Sequence, residues 1–243
     1  MDRELISAIA HLDHPVAAPV SDTAVERLLR RAKLPDGARL LDLGCGPGEW
    51  ALRALELVPS ATADGVDLSP HAVSAAGRAA AARGLSGRFT AHLGDATAFP
   101  AAEPYDLVLA VGSTHAFGGL KGTLRAAARH LRPGGLALVG EGFWERPPGP
   151  ELEAAIGGYP DLAGTVDSAE AGGWLTVHAH VSDRAEWDDY EFSWTGGLAR
   201  WAAEHPGPDA EHVLRVMREH RELWLTGYRD VLGFVTLLLL RRP

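Results

Sequence analysis

The sequence predicts a single α/β domain whose core is a doubly wound sheet of seven strands, the last one antiparallel. Within residues 38–141, short apolar runs alternate with helical stretches, and this βαβ succession is typical of a parallel sheet with right-handed crossovers. The chain has 243 residues, of which 46% are hydrophobic and 23% charged, as in folded globular proteins. Because α/β domains of about 250 residues commonly remain undivided, one core is expected.

The elements follow from local patterns along the chain. Apolar side chains at positions 25, 28, 29 and 32 have a helical spacing and predict an N-terminal helix over 22–33, with Ser21 or Asp22 as its cap. The last strand is expected to lie beside strand five and run antiparallel to it, and helical insertions are expected after strands five and six. The predicted strands are 39–43, 62–67, 88–93, 106–111, 136–140, 174–181 and 232–240, and the other predicted helices are 49–58, 70–83, 120–131, 184–204 and 208–228.

Charge and composition disfavour several classes of partner. The chain has 23 basic and 32 acidic residues, a net charge of −9, which argues against a nucleic-acid-binding surface. Its longest apolar run, 231–240, has about half the length that a membrane span requires, and the amino terminus lacks the pattern of a secretory signal. Since Cys45 is the single cysteine, no internal disulfide can form. We therefore expect a cytoplasmic monomer or homodimer without nucleic-acid or membrane partners.

A glycine-rich turn lies between the first predicted strand and the next helix. Gly44, Gly46 and Gly48 follow Asp42 at the place where a doubly wound fold binds a nucleotide. The dinucleotide fingerprint requires a further glycine at position 49, which is glutamate here, an anion where a pyrophosphate would lie. The sequence therefore disfavours an NAD-linked oxidoreductase, which stays as an alternative.

With Asp42, this loop resembles that of the class I, Rossmann-like S-adenosylmethionine-dependent methyltransferases. The resemblance continues through Gly65–Ser69, Gly94–Ala96, Tyr105–Gly112 and Leu131–Gly135, and it covers roughly residues 38–141. It implies S-adenosylmethionine as cofactor and S-adenosylhomocysteine as product, with no metal required. The implied cofactor-binding residues are Asp42, Gly44, Cys45, Gly46, Gly48, Asp67, Leu68, Asp95, Ala96 and Gly112.

Within this set, Asp67 stands at the end of the second strand, where a carboxylate can accept two hydrogen bonds from ribose hydroxyls. The resemblance implies that Asp95 contacts the adenine amino group and the Ala96 amide a ring nitrogen. Cys45 is expected to be a small turn residue and not a nucleophile. The single domain then has three parts: an N-terminal helical cap (1–37), the S-adenosylmethionine-binding core (38–141), and substrate-side insertions with the closing strands (142–243).

The methyl acceptor is expected outside the carboxyl ends of strands four and five, where ligands bind in open α/β sheets. His115 and Glu141 follow these strands and are the candidate catalytic groups; a base is needed only where the acceptor carries a proton of high pKa. The alternatives are a histidine bonded to its own loop and a glutamate that caps a helix or pairs with arginine. The candidate substrate-binding residues are His115, Trp144, Tyr190, Glu191 and Trp194.

Tyr190, Glu191 and Trp194 lie with Trp187 on one face of a predicted helix, because the four positions are spaced i, i+3, i+4 and i+7. Such a face either packs in the core, which we expect for Trp187, or forms an aromatic wall around a ring or an alkylammonium group. Glu191 could pair an amine or hold an indole-like N–H. The patterns Glu-x-aromatic-Trp at 141–144 and Trp-Asp-x-Tyr-Glu at 187–191 are similar to a poorly characterised bacterial subfamily of small methyltransferases.

Histidines elsewhere have simpler expected roles. His178 and His180 share one face of a predicted strand, and without a third ligand at a metal-like spacing they are expected at the surface or in hydrogen bonds. His11 and His14 precede Pro15; in related methyltransferases such a segment closes over the cofactor, and the alternative is a disordered tail.

The leading functional hypothesis is methyl transfer to a small molecule at a ring or amine nitrogen, in bacterial secondary metabolism. Methylation at oxygen or carbon of an aromatic metabolite, for example of indole type, is the next alternative. A catalytically silent S-adenosylmethionine-binding subunit is the third.

Overall fold

A computed structural model of the chain describes residues 1–101 and 103–242; Ala102 and Pro243, which fall within the predicted 38–141 and 142–243 parts, lie outside the described residues. The strands are β1 Arg39–Leu43, β2 Thr62–Asp67, β3 Phe89–Leu93, β4 Tyr105–Val111, β5 Leu131–Trp144, β6 Trp174–Val181 and β7 Leu232–Arg241. The helices are α1 Arg3–Ala10, α2 Asp22–Arg31, α3 Glu49–Leu57, α4 Pro70–Ala82, α5 Leu120–His130, α6 Pro150–Ile156, α7 Leu162–Ala171, α8 Arg184–Glu204 and α9 Pro208–Glu222, with a short 3₁₀ helix at Thr114–Phe117 and a π-helical turn at Leu223–Tyr228.

The seven strands form one sheet in the order β3-β2-β1-β4-β5-β7-β6. Strands β1 to β5 pair in parallel, whereas β7 lies between β5 and β6 and is antiparallel to both. This topology confirms the predicted doubly wound sheet and its antiparallel last strand. Asp42 aligns with Gly65 on one side and Leu109 on the other, so β1 lies at the point where the strand order reverses, the usual ligand-binding position.

Strand β5 differs from its prediction. It runs to Trp144, four residues past the expected end at Gly140, because β7 pairs with it along its whole carboxyl half, with Gly142 opposite Phe234 and Trp144 opposite Leu232. Gly140 lies inside the strand and packs against β7, since a Cβ atom on it would lie 2.5 Å from the Phe234 ring. Glu141 and Trp144 therefore lie within the strand and not after it.

The last predicted helix, 208–228, is also interrupted. Regular α-helix ends at Glu222 and the chain continues as a π-helical turn to Tyr228. π-helical turns are frequent near functional sites, and this one places Tyr228 against α8, as described below.

The core has three apolar clusters. One lies between the sheet and α2, α3 and α4, and a second lies between the opposite face of the sheet and α5 and α7. The third joins the N-terminal helix to the insertion helices, through Ile6 and Ile9 of α1, Leu198 of α8 and Val213 of α9. The N-terminal cap is thus packed against α8 and α9. Across the described residues, no helix combines the length and the apolar character that crossing a membrane requires.

Candidate active site

The glycine loop after β1 is held on both sides by neighbouring strands. The backbone N–H groups of Gly44 and Cys45 both donate to the Val66 carbonyl, at 2.9 and 3.0 Å. Gly44 has φ +77°, and a Cβ on it would lie 2.5 Å from the Ser113 Cβ, so only glycine fits there. Gly46 has φ +54° but nothing within 4 Å of its Cβ position, which means that the loop leaves space on this side.

Two carboxylates flank this loop. Asp42 is only 2% exposed, its Oδ2 atom has no hydrogen-bond partner among the described residues, and burial, with the charge of Asp67 as a second cause, raises its pKa to about 7. Asp67 accepts a hydrogen bond from the Gly46 N–H at Oδ2 and another from the Ser69 N–H at Oδ1, both at 2.9 Å. Asp42 therefore has a buried carboxylate oxygen without a hydrogen-bond donor, whereas Asp67 has an ordered, partly exposed carboxylate.

The remaining predicted cofactor residues lie around the same edge. Burial, followed by the charge of Asp42, raises the pKa of the Cys45 thiol far above its usual range, which suits an inert turn residue. Leu68 is 65% exposed. Asp95 accepts hydrogen bonds from the Thr97 hydroxyl and backbone N–H, both at 2.8 Å, and these bonds lower its pKa. Ala96 is buried.

The carboxyl end of β4 is tied to β1 and β5. The Ser113 hydroxyl donates to the Leu43 carbonyl at 2.6 Å, and the Thr114 hydroxyl donates to Glu141 Oε1 at 3.0 Å. Glu141 is 5% exposed; burial raises its pKa, although the hydrogen bonds from Thr114 and from the backbone oppose that shift. His115 is exposed. Thr114 thus links the two predicted catalytic residues: it directly precedes the exposed His115 in the chain, and its hydroxyl is hydrogen-bonded to the buried Glu141.

The segment between α1 and α2 lies over this edge. The Trp50 indole N–H donates to the Val16 carbonyl at 3.2 Å, and the Ala17 carbonyl lies 3.1 Å from the Cβ position of Gly112. Ala17 has φ +53°, an uncommon conformation for alanine that these contacts hold in place. The segment between α1 and α2 therefore packs against both α3, the helix that follows the glycine loop, and the end of β4.

The same segment brings two histidines to Tyr190. The Tyr190 hydroxyl lies 3.2 Å from His11 Nε2, and the His14 ring is edge-on to the Tyr190 ring at 5.5 Å. Trp187 is edge-on to Tyr190 at 6.4 Å and to Phe234 at 6.4 Å. Sequence reasoning did not connect these histidines with Tyr190, because some 180 residues separate them; the i, i+3 spacing of the aromatic residues was the available signal.

The predicted aromatic wall is divided between separate contacts. Glu191 is 1% exposed and is bound to the Tyr228 hydroxyl at 2.6 Å and to His220 Nε2 at 2.7 Å. Trp194 stacks on the His220 ring at 4.0 Å. Trp144 is buried and meets Tyr159 edge-on at 5.8 Å. Glu191 and Trp194 thus contact α9 and the π-helical turn, while Tyr190 contacts the N-terminal segment.

His180 is hydrogen-bonded to Glu186, with Nε2 2.9 Å from Oε2, and the N–H and hydroxyl of Ser21 donate to the same glutamate at 2.9 and 2.6 Å. This carboxylate joins α8 to the start of α2. Within residues 1–101 and 103–242, no group of three or more His, Cys, Asp or Glu side chains is arranged to hold a metal ion.

Comparison with known proteins places this edge in a defined context. A family model for a methyltransferase domain matches residues 40–135. An S-adenosylmethionine-dependent methyltransferase from Geobacter sulfurreducens, crystallised with S-adenosyl-L-homocysteine, superposes with a TM-score of 0.90 at 26% identity, covering 100% of this chain and 99% of that one. A second such enzyme from Thiobacillus denitrificans, also crystallised with S-adenosyl-L-homocysteine, gives 0.89 at 28% identity over 100% and 99% of the chains.

Among curated proteins, the uncharacterized protein YjhP of Escherichia coli is 29% identical over 253 residues, the full length of both chains. The range that the family model matches includes the glycine loop, Asp42, Asp67 and Asp95, and the two solved structures share the whole fold and contain S-adenosyl-L-homocysteine. The chain therefore has the class I, Rossmann-like methyltransferase fold and is an S-adenosylmethionine-dependent methyltransferase, with S-adenosylmethionine as its cofactor.

Proposed function

We propose that this enzyme transfers the methyl group of S-adenosylmethionine to a nitrogen atom of a small molecule. The supporting observation is the set of ionisable side chains on the acceptor side of the sheet: His115 beyond β4, and His11 and His14 around Tyr190. A neutral imidazole can accept an N–H hydrogen bond and take up the proton that a nitrogen acceptor loses. The buried Glu141 nearby disfavours an anionic acceptor.

On the cofactor side, the residues present fit the group. The unpartnered Oδ2 of Asp42 suits the α-amino group, and we propose that Asp67 binds the ribose hydroxyls. Asp95, with the backbone of Ala96, would then read the adenine edge, and Leu68 would cover the adenine ring. The loop residues Gly44, Cys45, Gly46 and Gly48, together with Gly112, would allow close backbone approach.

When bound, S-adenosylmethionine supplies an electrophilic methyl group for in-line transfer, a reaction in which alignment and exclusion of water supply much of the rate. We propose that His115 orients the acceptor or removes its proton. Glu141 then acts on it indirectly, because its hydrogen bond from Thr114 fixes the loop that carries His115. Tyr190 is proposed to line the acceptor site and Trp144 to support it through Tyr159, whereas Glu191 and Trp194 would stabilise α8.

The test begins with calorimetric titrations using S-adenosylhomocysteine and NAD. We expect binding of the first and none of the second. Release of S-adenosylhomocysteine is then measured across ring nitrogen compounds, alkylamines, phenols and carboxylic acids. Turnover confined to phenols or carboxylic acids would refute the nitrogen assignment, and binding without turnover of any class would favour a catalytically silent subunit.

A further inference from the structure

Two buried nitrogen atoms beside Tyr190 have no hydrogen-bond partner among the described residues: His14 Nδ1 and Trp187 Nε1. The His14 side chain is only 11% exposed. Most buried polar atoms in folded proteins are paired, and an unpaired one is destabilising. Two such atoms on side chains that contact the same tyrosine make this cluster a candidate ligand site.

The two side chains face the same ring. His14 is edge-on to Tyr190 at 5.5 Å and Trp187 is edge-on to it at 6.4 Å. Trp187 also contacts Phe234, whose ring lies against Gly140, the β5 residue that pairs with Val111 at the carboxyl end of β4. The unpaired atoms are thus part of an aromatic cluster on the acceptor side of the sheet.

Their chemistry is complementary. An indole Nε1 can only donate a hydrogen bond. His14 Nε2 lies 3.8 Å from Asp189 Oδ2; in the tautomer whose proton is on Nε2, on the side of that carboxylate, Nδ1 keeps a lone pair that can accept a hydrogen bond. Tyr190 does not compete for them, since its hydroxyl donates to His11 Nε2; the His11 ring is fixed in that tautomer by its own hydrogen bond from Nδ1 to the Ser7 carbonyl at 2.8 Å.

We propose that His14 and Trp187 bind the methyl acceptor, and that the acceptor is a planar nitrogen heterocycle which donates an N–H to His14 Nδ1 and accepts the Trp187 indole N–H. The inference rests on the proposed function and narrows its substrate class. An alkylammonium group would leave the indole N–H unpaired, and a purely hydrocarbon ring would leave both atoms unpaired.

Four probe rings of similar size separate the two hydrogen bonds. Benzimidazole carries both a donor and an acceptor, indole only the donor, 1-methylbenzimidazole only the acceptor, and indene neither. Each is titrated into the full chain saturated with S-adenosylhomocysteine, and binding is followed calorimetrically and by the indole N–H resonances in NMR spectra. We expect benzimidazole to bind about fivefold to tenfold more tightly than either single-function probe, since one hydrogen bond contributes about 1 kcal/mol.

Variants assign each bond to its residue. Trp187→Phe should bring benzimidazole and indole to equal affinity, and His14→Ala should do the same for benzimidazole and 1-methylbenzimidazole. The matched controls are Trp201→Phe and His205→Gln, a stacked pair at the end of α8, which should leave all four affinities unchanged. Unaltered S-adenosylhomocysteine binding shows that each variant is folded.

The outcomes separate this inference from the proposed function. If S-adenosylhomocysteine binds but the four probes bind equally, or not at all, or the His14 and Trp187 variants change nothing, the heterocycle site is wrong while methyl transfer stands. If alkylamines alone are methylated, the substrate class is wrong although the nitrogen assignment holds. Loss of S-adenosylhomocysteine binding in the parent protein would refute the cofactor assignment itself.

Discussion

At the scale of single residues, Asp67 is the side chain that we propose binds the ribose hydroxyls of the cofactor. Its two oxygens hold the N–H groups of Gly46 and Ser69, which orders the carboxylate at the edge of the sheet and leaves lone pairs for further donors. We expect Asp67→Ala to weaken S-adenosylhomocysteine binding by tenfold or more, because each charge-assisted hydrogen bond contributes about 1.5–3 kcal/mol. Calorimetry measures the loss; Asp64→Asn, in the same strand, is the control. An unchanged affinity in a folded variant would exclude the ribose role.

The raised pKa of Asp42 predicts how both folding stability and ligand affinity depend on pH. Its pKa is raised to about 7 from an ordinary value of about 4, so the folded protein binds more protons than the unfolded chain between these values. The Asp42 contribution to stability therefore declines as pH rises from about 4 to about 7. Ligand binding has the opposite slope, because an ammonium group favours the ionised carboxylate.

We expect S-adenosylhomocysteine affinity to increase with pH up to about 7 in the parent protein. Asp42→Asn should bind more weakly and lose this part of the pH dependence. Calorimetric titrations between pH 5.5 and 8 compare the two proteins, so that other titrating groups, which both share, cancel. Parallel pH profiles would contradict the assignment of the amino group to Asp42.

His115 can act as a base or as an orienting side chain, and its replacement separates the two. If it removes the acceptor's proton, His115→Ala should lower kcat by about 10²–10⁴ and leave cofactor affinity unchanged. If it only orients the acceptor, KM should rise with a small change in kcat. Steady-state kinetics on the acceptor found in the release assay decides between them. Parental kcat together with parental KM would remove His115 from the site.

At the scale of elements, substitutions at two positions of the glycine loop should have different effects, one mainly on ligand binding and the other mainly on folding stability. At Gly46 a side chain meets nothing within 4 Å, whereas at Gly44 a Cβ would lie 2.5 Å from Ser113. Gly46→Val should therefore abolish S-adenosylhomocysteine binding with only the modest destabilisation that its φ of +54° imposes. Gly44→Ala should lower the melting temperature further, because the end of β4 must move. The interpretation of the loop fails if Gly46→Val binds within threefold of the parent.

At the scale of the whole molecule, we propose that the three parts of the chain unfold as one domain. The apolar contacts of α1 with α8 and α9 and the Glu186 bonds to Ser21 join the N-terminal cap to the insertions. Far-UV circular dichroism and tryptophan fluorescence should give one coincident thermal transition. S-adenosylhomocysteine at 100 times its Kd should add about 2.7 kcal/mol to the free energy of unfolding. A separate early transition of the cap would contradict this proposal.

Much of this fold could be predicted from the sequence, where local chemistry specifies the element. Strands 39–43, 62–67 and 174–181 and helix 184–204 have the predicted bounds. The helix begins at a capping box formed by Asp183 and Glu186, a signal contained within four residues. The glycine loop is equally local, since spacing and residue type define it.

The tertiary structure alone decided the features that depend on distant partners. Strand β5 extends to Trp144 because β7 pairs with it, Glu141 holds the β4 loop through Thr114, and Tyr190 meets His11 across the chain. Hydrophobic periodicity reports which face of an element is buried, but not which remote residue it will meet. The proposed cofactor edge is therefore made of contiguous motifs that can be found in the sequence, whereas the proposed acceptor side, which combines the N-terminal segment, α8 and β7, becomes visible only in the folded chain.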